Sequence, residues 1–176
     1  MEVKYVEDLQ KVFYETWLDT YPNEKVGILK EDIEEHFKNA LAPERIQKIK
    51  DFIISKKGAT DLLNIIAIDI KTDKVVGTGS FAKKESEYKV QSLYVLTEYQ
   101  GKGIGKALMQ EGLSFLKDES ENSKNIIVHL ATYNENAKKF YEGFGFVDTG
   151  ERFEEERHRM PISQKMIPEM RMKKVK

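Results

Sequence analysis

No cysteine occurs among the 176 residues. Disulfides, thiolate metal sites and a cysteine nucleophile are therefore excluded. The three histidines, His36, His129 and His158, are scattered and lack metal-ligand spacing, so no metal is expected. No apolar run approaches the ~20 residues needed to span a bilayer. The charged start Met1–Gln10 has no apolar stretch of the secretory kind. A membrane is not an expected partner, and a cytoplasmic location is the expectation. Charge of one sign is also missing. Lys+Arg 29 against Asp+Glu 30 leaves a net charge of -1, so no overall field favours nucleic acid. Any charged ligand has to be held by a local cluster.

What is present fits one domain over residues 1–176. Hydrophobic residues make up 40% and charged residues 34%, enough for a core and a charged surface. Met1–Val6 reads as a short first strand. Apolar residues from Glu7 to Tyr21 recur at helical spacing and stop at Pro22. Lys30–Leu41 reads as a second helix with an acidic first turn. Pro43 opens a third, ended by Gly58. The texture then turns β-rich. Asp61–Ile70 and Lys74–Ala82 read as a hairpin over Lys71-Thr72-Asp73, and Tyr88–Leu96 as the next strand. Gly103–Lys117 is helical, Asn125–Ala131 a buried strand, and Asn134–Glu142 helical. Phe146–Phe153 and Pro168–Val175 are the last strands. This order predicts an α/β fold with a mixed, mostly antiparallel sheet of six to seven strands flanked by helices. No sheet edge is obviously protected, which leaves a homodimer open.

Gly101, Gly103 and Gly105 fall between a strand and a helix. Glycines let backbone approach a ligand closely, and the first amides of a helix have no internal partner. Together they make an anion site, to which Lys102 and Lys106 add charge. A phosphate loop of the G-x-x-x-x-G-K-[ST] kind is excluded, because Ala107 follows Lys106 and Gln100 replaces the first glycine. The dinucleotide pattern G-x-G-x-x-G fails at Lys106. The spacing that fits is [QR]-x-x-G-x-[GA], read as Gln100-x-x-Gly103-x-Gly105.

With Ser92–Gly105 before it and Asn134–Phe146 (N-x-x-A-x-x-x-Y-x-x-x-G-F) after it, this motif resembles the GNAT superfamily of acetyltransferases. The resemblance implies acetyl-CoA as co-substrate and a sheet splayed between its fourth and fifth strands, which are the strand ending at Leu96 and Asn125–Ala131. Backbone groups of Leu93, Tyr94 and Val95 would meet the pantetheine, with an amide near Val95 at the oxyanion. Amides of Gly101, Lys102, Gly103, Ile104, Gly105 and Lys106 would bind the pyrophosphate, beside Gln100. Asn134 and Asn136 would flank the coenzyme. Tyr141 would act as general acid toward the departing thiolate. The usual glutamate base has no counterpart. Gln91 stands near its place, and Glu85 and Glu87 lie upstream.

Glu15-Thr16-Trp17-Leu18-Asp19-Thr20-Tyr21, followed by Glu34-Glu35-His36-Phe37, resembles the PaiA-like spermidine/spermine acetyltransferases, as does the ending Glu169–Lys174. That implies a small-molecule amine as acceptor, a polyamine such as spermidine or spermine. Trp17, Tyr21, Glu34, Glu35 and His129 are the candidate acceptor residues, with Glu31 and Asp32 beside them. The acidic first turn is also an ordinary complement to the helix dipole. Glu154-Glu155-Glu156 reads as a solvated face or loop. A protein N-terminal or lysine acetyltransferase, and a non-catalytic coenzyme A-binding regulatory module, are the alternatives.

Overall fold

A computed structural model describes residues 2–117 and 124–175. Met1 and Lys176, at the two ends of the expected domain, lie outside the described residues.

Three helices lead. They are α1 (Val6–Thr20), α2 (Lys30–Phe37) and α3 (Pro43–Ser55). The expected strand Met1–Val6 is absent. Val3–Tyr5 is a short 3₁₀ turn running straight into α1. Tyr5, Val6, Leu9 and Val12 are all buried, so the apolar spacing at the start is already helical. α2 stops at Phe37, short of the expected Leu41. Pro43 forces Ala42 into an extended conformation (ψ 136°) and begins α3, so the second helix has to end first.

Six strands follow: β1 (Leu62–Asp69), β2 (Lys74–Lys83), β3 (Tyr88–Val95), β4 (Ile126–Ala131), β5 (Phe146–Arg159) and β6 (Met166–Lys174). Helix α4 (Ile104–Leu116) lies between β3 and β4, and α5 (Glu135–Glu142) between β4 and β5. The sheet order is β1-β2-β3-β4-β6-β5. Every neighbouring pair is antiparallel except β3 with β4. With no strand at the N-terminus, the splay expected between the fourth and fifth strands lies between the third and fourth. β5 also runs six residues beyond the expected Phe153, so Glu154–Glu156 belong to a strand and not to a loop. Glu155 turns inward there while its two neighbours stay exposed, as strand alternation requires.

The sheet buries both faces. On one face, Phe81, Val90, Met109, Leu116, Val128 and Met170 form a core under α4 and α5. On the other, Ala131, Ile167 and Met160 pack with Ile28, Ile33 and Phe37 from the α2 region. The two consecutive residues Leu130 and Ala131 enter opposite cores, which fixes the register of β4.

Helix α4 lies very close to β2. The Phe81 ring fills the hollow over Gly112, where an added Cβ would lie 2.0 Å from a ring carbon. Phe81 is 0% exposed and has nowhere to move. Gly112→Ala gains helix propensity of ~1 kcal/mol but overpacks by more. The expected net loss of ~2 kcal/mol lowers the melting temperature by about 4–8 °C for a domain of this size. A melting temperature equal to or above the parent's would refute this packing.

Candidate active site

Parallel pairing of β3 with β4 covers three residue pairs, Tyr88 with Ile126, Lys89 with Ile127 and Val90 with Val128, and then ceases. At that point β3 bulges. Val90 faces Phe81 on β2 and Ser92 faces Ser80, so Gln91 is the extra residue. The bulge turns β3 away from β4 and leaves Leu93, Tyr94 and Val95 on one wall of a cleft of about 880 Å³. Tyr133, Asn134, Phe140 and Tyr141 form the opposite wall.

The glycine turn closes one end. Gly101 (φ 72°) and Gly103 (φ 84°) take left-handed conformations that side chains rarely adopt. Gly103 is the N-cap of α4, and the first bond back into the helix is Ala107 N–H to the Gly103 carbonyl. Among the described residues, the amides of 101–106 find no backbone acceptor. Six N–H groups without a backbone acceptor thus gather at a helix start, an arrangement that can receive an anion. The Gln100 side chain donates to the Val95 carbonyl at 3.0 Å, tying the turn to the end of β3. Lys106 lines the cleft, whereas the Lys102 ammonium rests over the Tyr99 ring, 4.8 Å from its centroid.

At the other wall, Asn134 caps α5 by accepting from the Ala137 amide at 3.0 Å. Its carbonyl oxygen is thus occupied, and its amide protons are left for a ligand. The Tyr141 hydroxyl has no hydrogen-bond partner among the described residues, although the residue is 6% exposed. Burial, with the Tyr94 hydroxyl nearby, pushes its pKa well up. It is therefore a neutral phenol at physiological pH, able to donate a proton into the cleft.

Most of the residues expected to hold the coenzyme come together here. Leu93, Tyr94, Val95, Gln100 and the three glycines line the cleft, as do Lys106, Asn134, Asn136 and Tyr141. Lys102 and Ile104 do not.

The expected acceptor residues do not line it. Glu34 and Glu35 are exposed and lie within ion-pair distance of Lys30 and Lys38. Asp32 is fully buried and accepts three backbone N–H bonds, from Leu29, Ile162 and Ser163. It ties α2 to the β5–β6 loop. Trp17 stacks on His36 at 5.1 Å and meets Tyr21 edge-on at 4.7 Å. Tyr21 shares a hydrogen bond with Tyr94, the two hydroxyls being 3.1 Å apart, and its carbonyl accepts from the Tyr133 hydroxyl at 2.8 Å. It therefore stands directly behind the cleft wall.

His129 lies on the α2 side of the sheet in a cluster the sequence did not announce. His129, Glu155 and Glu169 each bring one ligand-capable atom within 4.8 Å of the others. Lys89 supplies the opposing charge, with its ammonium 3.0 Å from His129 Nδ1. Burial foremost, then Lys89, lowers the His129 pKa. Burial likewise lowers that of Lys89. The sequence places Glu169 in a terminal strand and in the PaiA-like ending Glu169–Lys174, with no role of its own. One signal was available: it is a lone acid within the apolar run Met166–Met172, at an inward position of a strand.

The comparisons with known proteins agree with this geometry. The PaiA N-acetyltransferase of Thermoplasma acidophilum, solved with coenzyme A, superposes with a TM-score of 0.70 at 20% identity, covering 100% of this chain and 96% of that one. A chimera of spermidine N-acetyltransferase SpeG from Vibrio cholerae gives 0.63 at 15% identity, covering 99% and 92%. The ribosomal-protein-S5-alanine acetyltransferase of Vibrio fischeri gives 0.69 at 15%, covering 99% and 90%. Such identities establish a shared fold, and the fold alone does not single out the PaiA type. The curated relative N-acetyltransferase 8F1 of Rattus norvegicus is 34% identical over 61 residues, so the chain spans only 27% of that protein's length. The family described as acetyltransferase (GNAT) domain matches residues 17–161. With that match over most of its length, on this splayed sheet and glycine turn, the chain belongs to the GNAT acetyltransferase domain family.

Proposed function

We propose that the protein transfers acetyl from acetyl-CoA to a primary amine by direct attack, and that the acceptor is a polyamine such as spermidine or spermine. One observation carries the transferase reading. Amides of the glycine turn that find no backbone acceptor and the unpartnered hydroxyl of the buried Tyr141 meet at one cleft, lined by Gly101, Gly103, Gly105, Lys106 and Tyr141. The first suits a pyrophosphate and the second a departing thiolate. In this reading an amide of β3 beyond the bulge, where pairing with β4 has ceased, would receive the charge that develops on the thioester oxygen.

The polyamine reading is supported by carboxylates on the acceptor side. Asp19 and Glu135 line the cleft, and Glu155 and Glu169 cluster with His129 on the α2 side of the sheet. Carboxylates and aromatic faces are what a multiply charged amine calls for. The likeness to a spermidine N-acetyltransferase points the same way. In this reading the enzyme works in the cytoplasm. Among the described residues no helix is long and apolar enough to cross a membrane.

Release of coenzyme A thiol, measured with spermidine, spermine, lysine and a peptide panel, tests the proposal. The expected result is turnover on the polyamines with kcat/KM at least about tenfold above any peptide, a preference of ~1.4 kcal/mol. Turnover on peptides alone makes the protein a protein acetyltransferase. Binding of acetyl-CoA without turnover on any amine makes it a silent coenzyme-binding module.

A further inference from the structure

Three neighbouring strands each bring one ligand-capable side chain to the same spot. His129 comes from β4, Glu169 from β6 and Glu155 from β5, and the sheet order sets these strands side by side. Glu169 pairs with Ala131 on one side and with Phe153 on the other. His129 and Glu155, each two residues from those partners, therefore share its face. One atom of each of the three lies within 4.8 Å of the other two. Spacing along the chain gives no sign of this, because the residues meet only through strand pairing. Strands hold such a constellation more precisely than loops do.

The geometry suits a cation. Lys89 Nζ lies 3.0 Å from His129 Nδ1. A lysine ammonium only donates, so Nδ1 presents its lone pair there and a positive charge already rests on it. Glu155 Oε1 is 3.5 Å from the same nitrogen. Nitrogen and oxygen ligands ~2.0–2.1 Å from a tetrahedral ion lie about 3.3 Å apart, so this pair is nearly in place. Outer contacts orient the three side chains, as is usual around a metal. Arg157 holds Glu155 Oε2, His158 Nδ1 lies 3.2 Å from Glu169 Oε2, and the Phe153 ring meets His129 edge-on at 4.6 Å. The side chains of Glu169, His129 and Glu155 are 8%, 17% and 26% exposed, so little water screens the two carboxylates from each other.

We propose that His129, Glu155 and Glu169 form a binding site for one divalent first-row transition metal ion of the zinc class, with the Lys89 ammonium as its competitor. The ion binds through His129 Nδ1 and one oxygen of each carboxylate, and water completes a four-coordinate shell. Imidazole combined with carboxylate favours zinc over magnesium and calcium, which take oxygen ligands. Lys89 swings aside on its flexible four-carbon stem as the ion arrives. None of the three ligands lines the acetyl-transfer cleft, so Asp19 and Glu135 remain there to face an amine. Occupancy of the site staples β4, β6 and β5 together.

Calorimetric titration of the untagged protein with Zn²⁺, Mg²⁺ and Ca²⁺, with neither acetyl-CoA nor an amine present, tests the site. The expected result is one equivalent of Zn²⁺ bound and no binding of Mg²⁺ or Ca²⁺. The melting temperature should rise by about 5–10 °C at a hundredfold excess of Zn²⁺ over Kd. Lys89→Met removes the competing charge and is expected to bind Zn²⁺ at least about tenfold more tightly than the parent. Losing an outer partner costs ~10- to 100-fold in affinity, so His158→Gln should fall in that range and Glu169→Gln and His129→Ala beyond it. His129→Ala reads the site if Glu169→Gln does not fold. Failure of both the parent and Lys89→Met to bind Zn²⁺ overturns the proposal and leaves Lys89 as an ordinary partner of the cluster. Zn²⁺ binding that is unchanged in His129→Ala overturns it as well, because the ion then sits elsewhere.

Discussion

Replacing Tyr141 by Phe is expected to lower kcat by about 10²- to 10⁴-fold, the usual contribution of a positioned acid. Acetyl-CoA affinity should change less than about twofold, because the ring is retained. The hydroxyl is the only atom removed, and it has no partner among the described residues, so the fold loses no hydrogen bond with it. The effect must then come from the chemistry. The protonated thiol is a far better leaving species than a thiolate held in a low-dielectric cleft. A phenol pushed upward by burial and by Tyr94 remains fully protonated over the working range, so Tyr141 itself should add no limb to the pH profile below neutrality. Stopped-assay kinetics with binding by calorimetry give both numbers. Unchanged turnover would remove Tyr141 from the mechanism.

Asp32→Ala is expected to cost about 3–5 kcal/mol of folding stability, measured by denaturant titration. Three part-buried backbone donors lose a charged acceptor at once, with distances of 2.8, 2.9 and 2.8 Å in the native protein. The sign of the pH effect follows from opposing causes. Burial pushes the Asp32 carboxyl up, but the hydrogen bonds from Ser163, Leu29 and Ile162 outweigh it and hold the pKa below its ordinary 3.8. A depressed folded value means the stabilisation is fully present above the unfolded pKa and is lost as pH falls through the folded one. Asp32→Asn should therefore flatten the acid limb of stability below pH ~4 while lowering the plateau at neutral pH. A loss under 1 kcal/mol for the alanine variant would mean the donors find water instead.

The coenzyme side was legible because its chemistry is local. A turn, a helix start and an asparagine cap are read from residues a few positions apart, so spacing and resemblance assign Gln100–Lys106 and Asn134–Tyr141 to one coenzyme site. The acceptor side depends on long-range register. Glu169 meets His158 only because β5 runs on to Arg159 and pairs back on β6, and nothing near either residue foretells that. Asp32 illustrates the same difficulty in reverse. An acid in a first helical turn has a local explanation, yet its partners Ile162 and Ser163 lie at the far end of the chain. The N-terminus departs from its expected strand for a simpler reason. A six-residue stretch with Val3, Tyr5 and Val6 suits a strand, and only its continuation to Leu9 and Val12 reveals the longer period.

The three residue pairs that join β3 to β4 divide the sheet into two three-stranded leaves, β1-β2-β3 and β4-β6-β5. Because the seam is so short, the gap between the leaves is spanned from outside by clasps. The Tyr133 hydroxyl fastens to the Tyr21 carbonyl on one flank, and Asp32 fastens α2 to the far hairpin. Both clasps lie on the acceptor face and none of their bonds belongs to the sheet. The width of the slot is thus governed by helices α1 and α2, and under the proposed reaction anything that seats an acceptor against α1 would also grip the two leaves around the thioester.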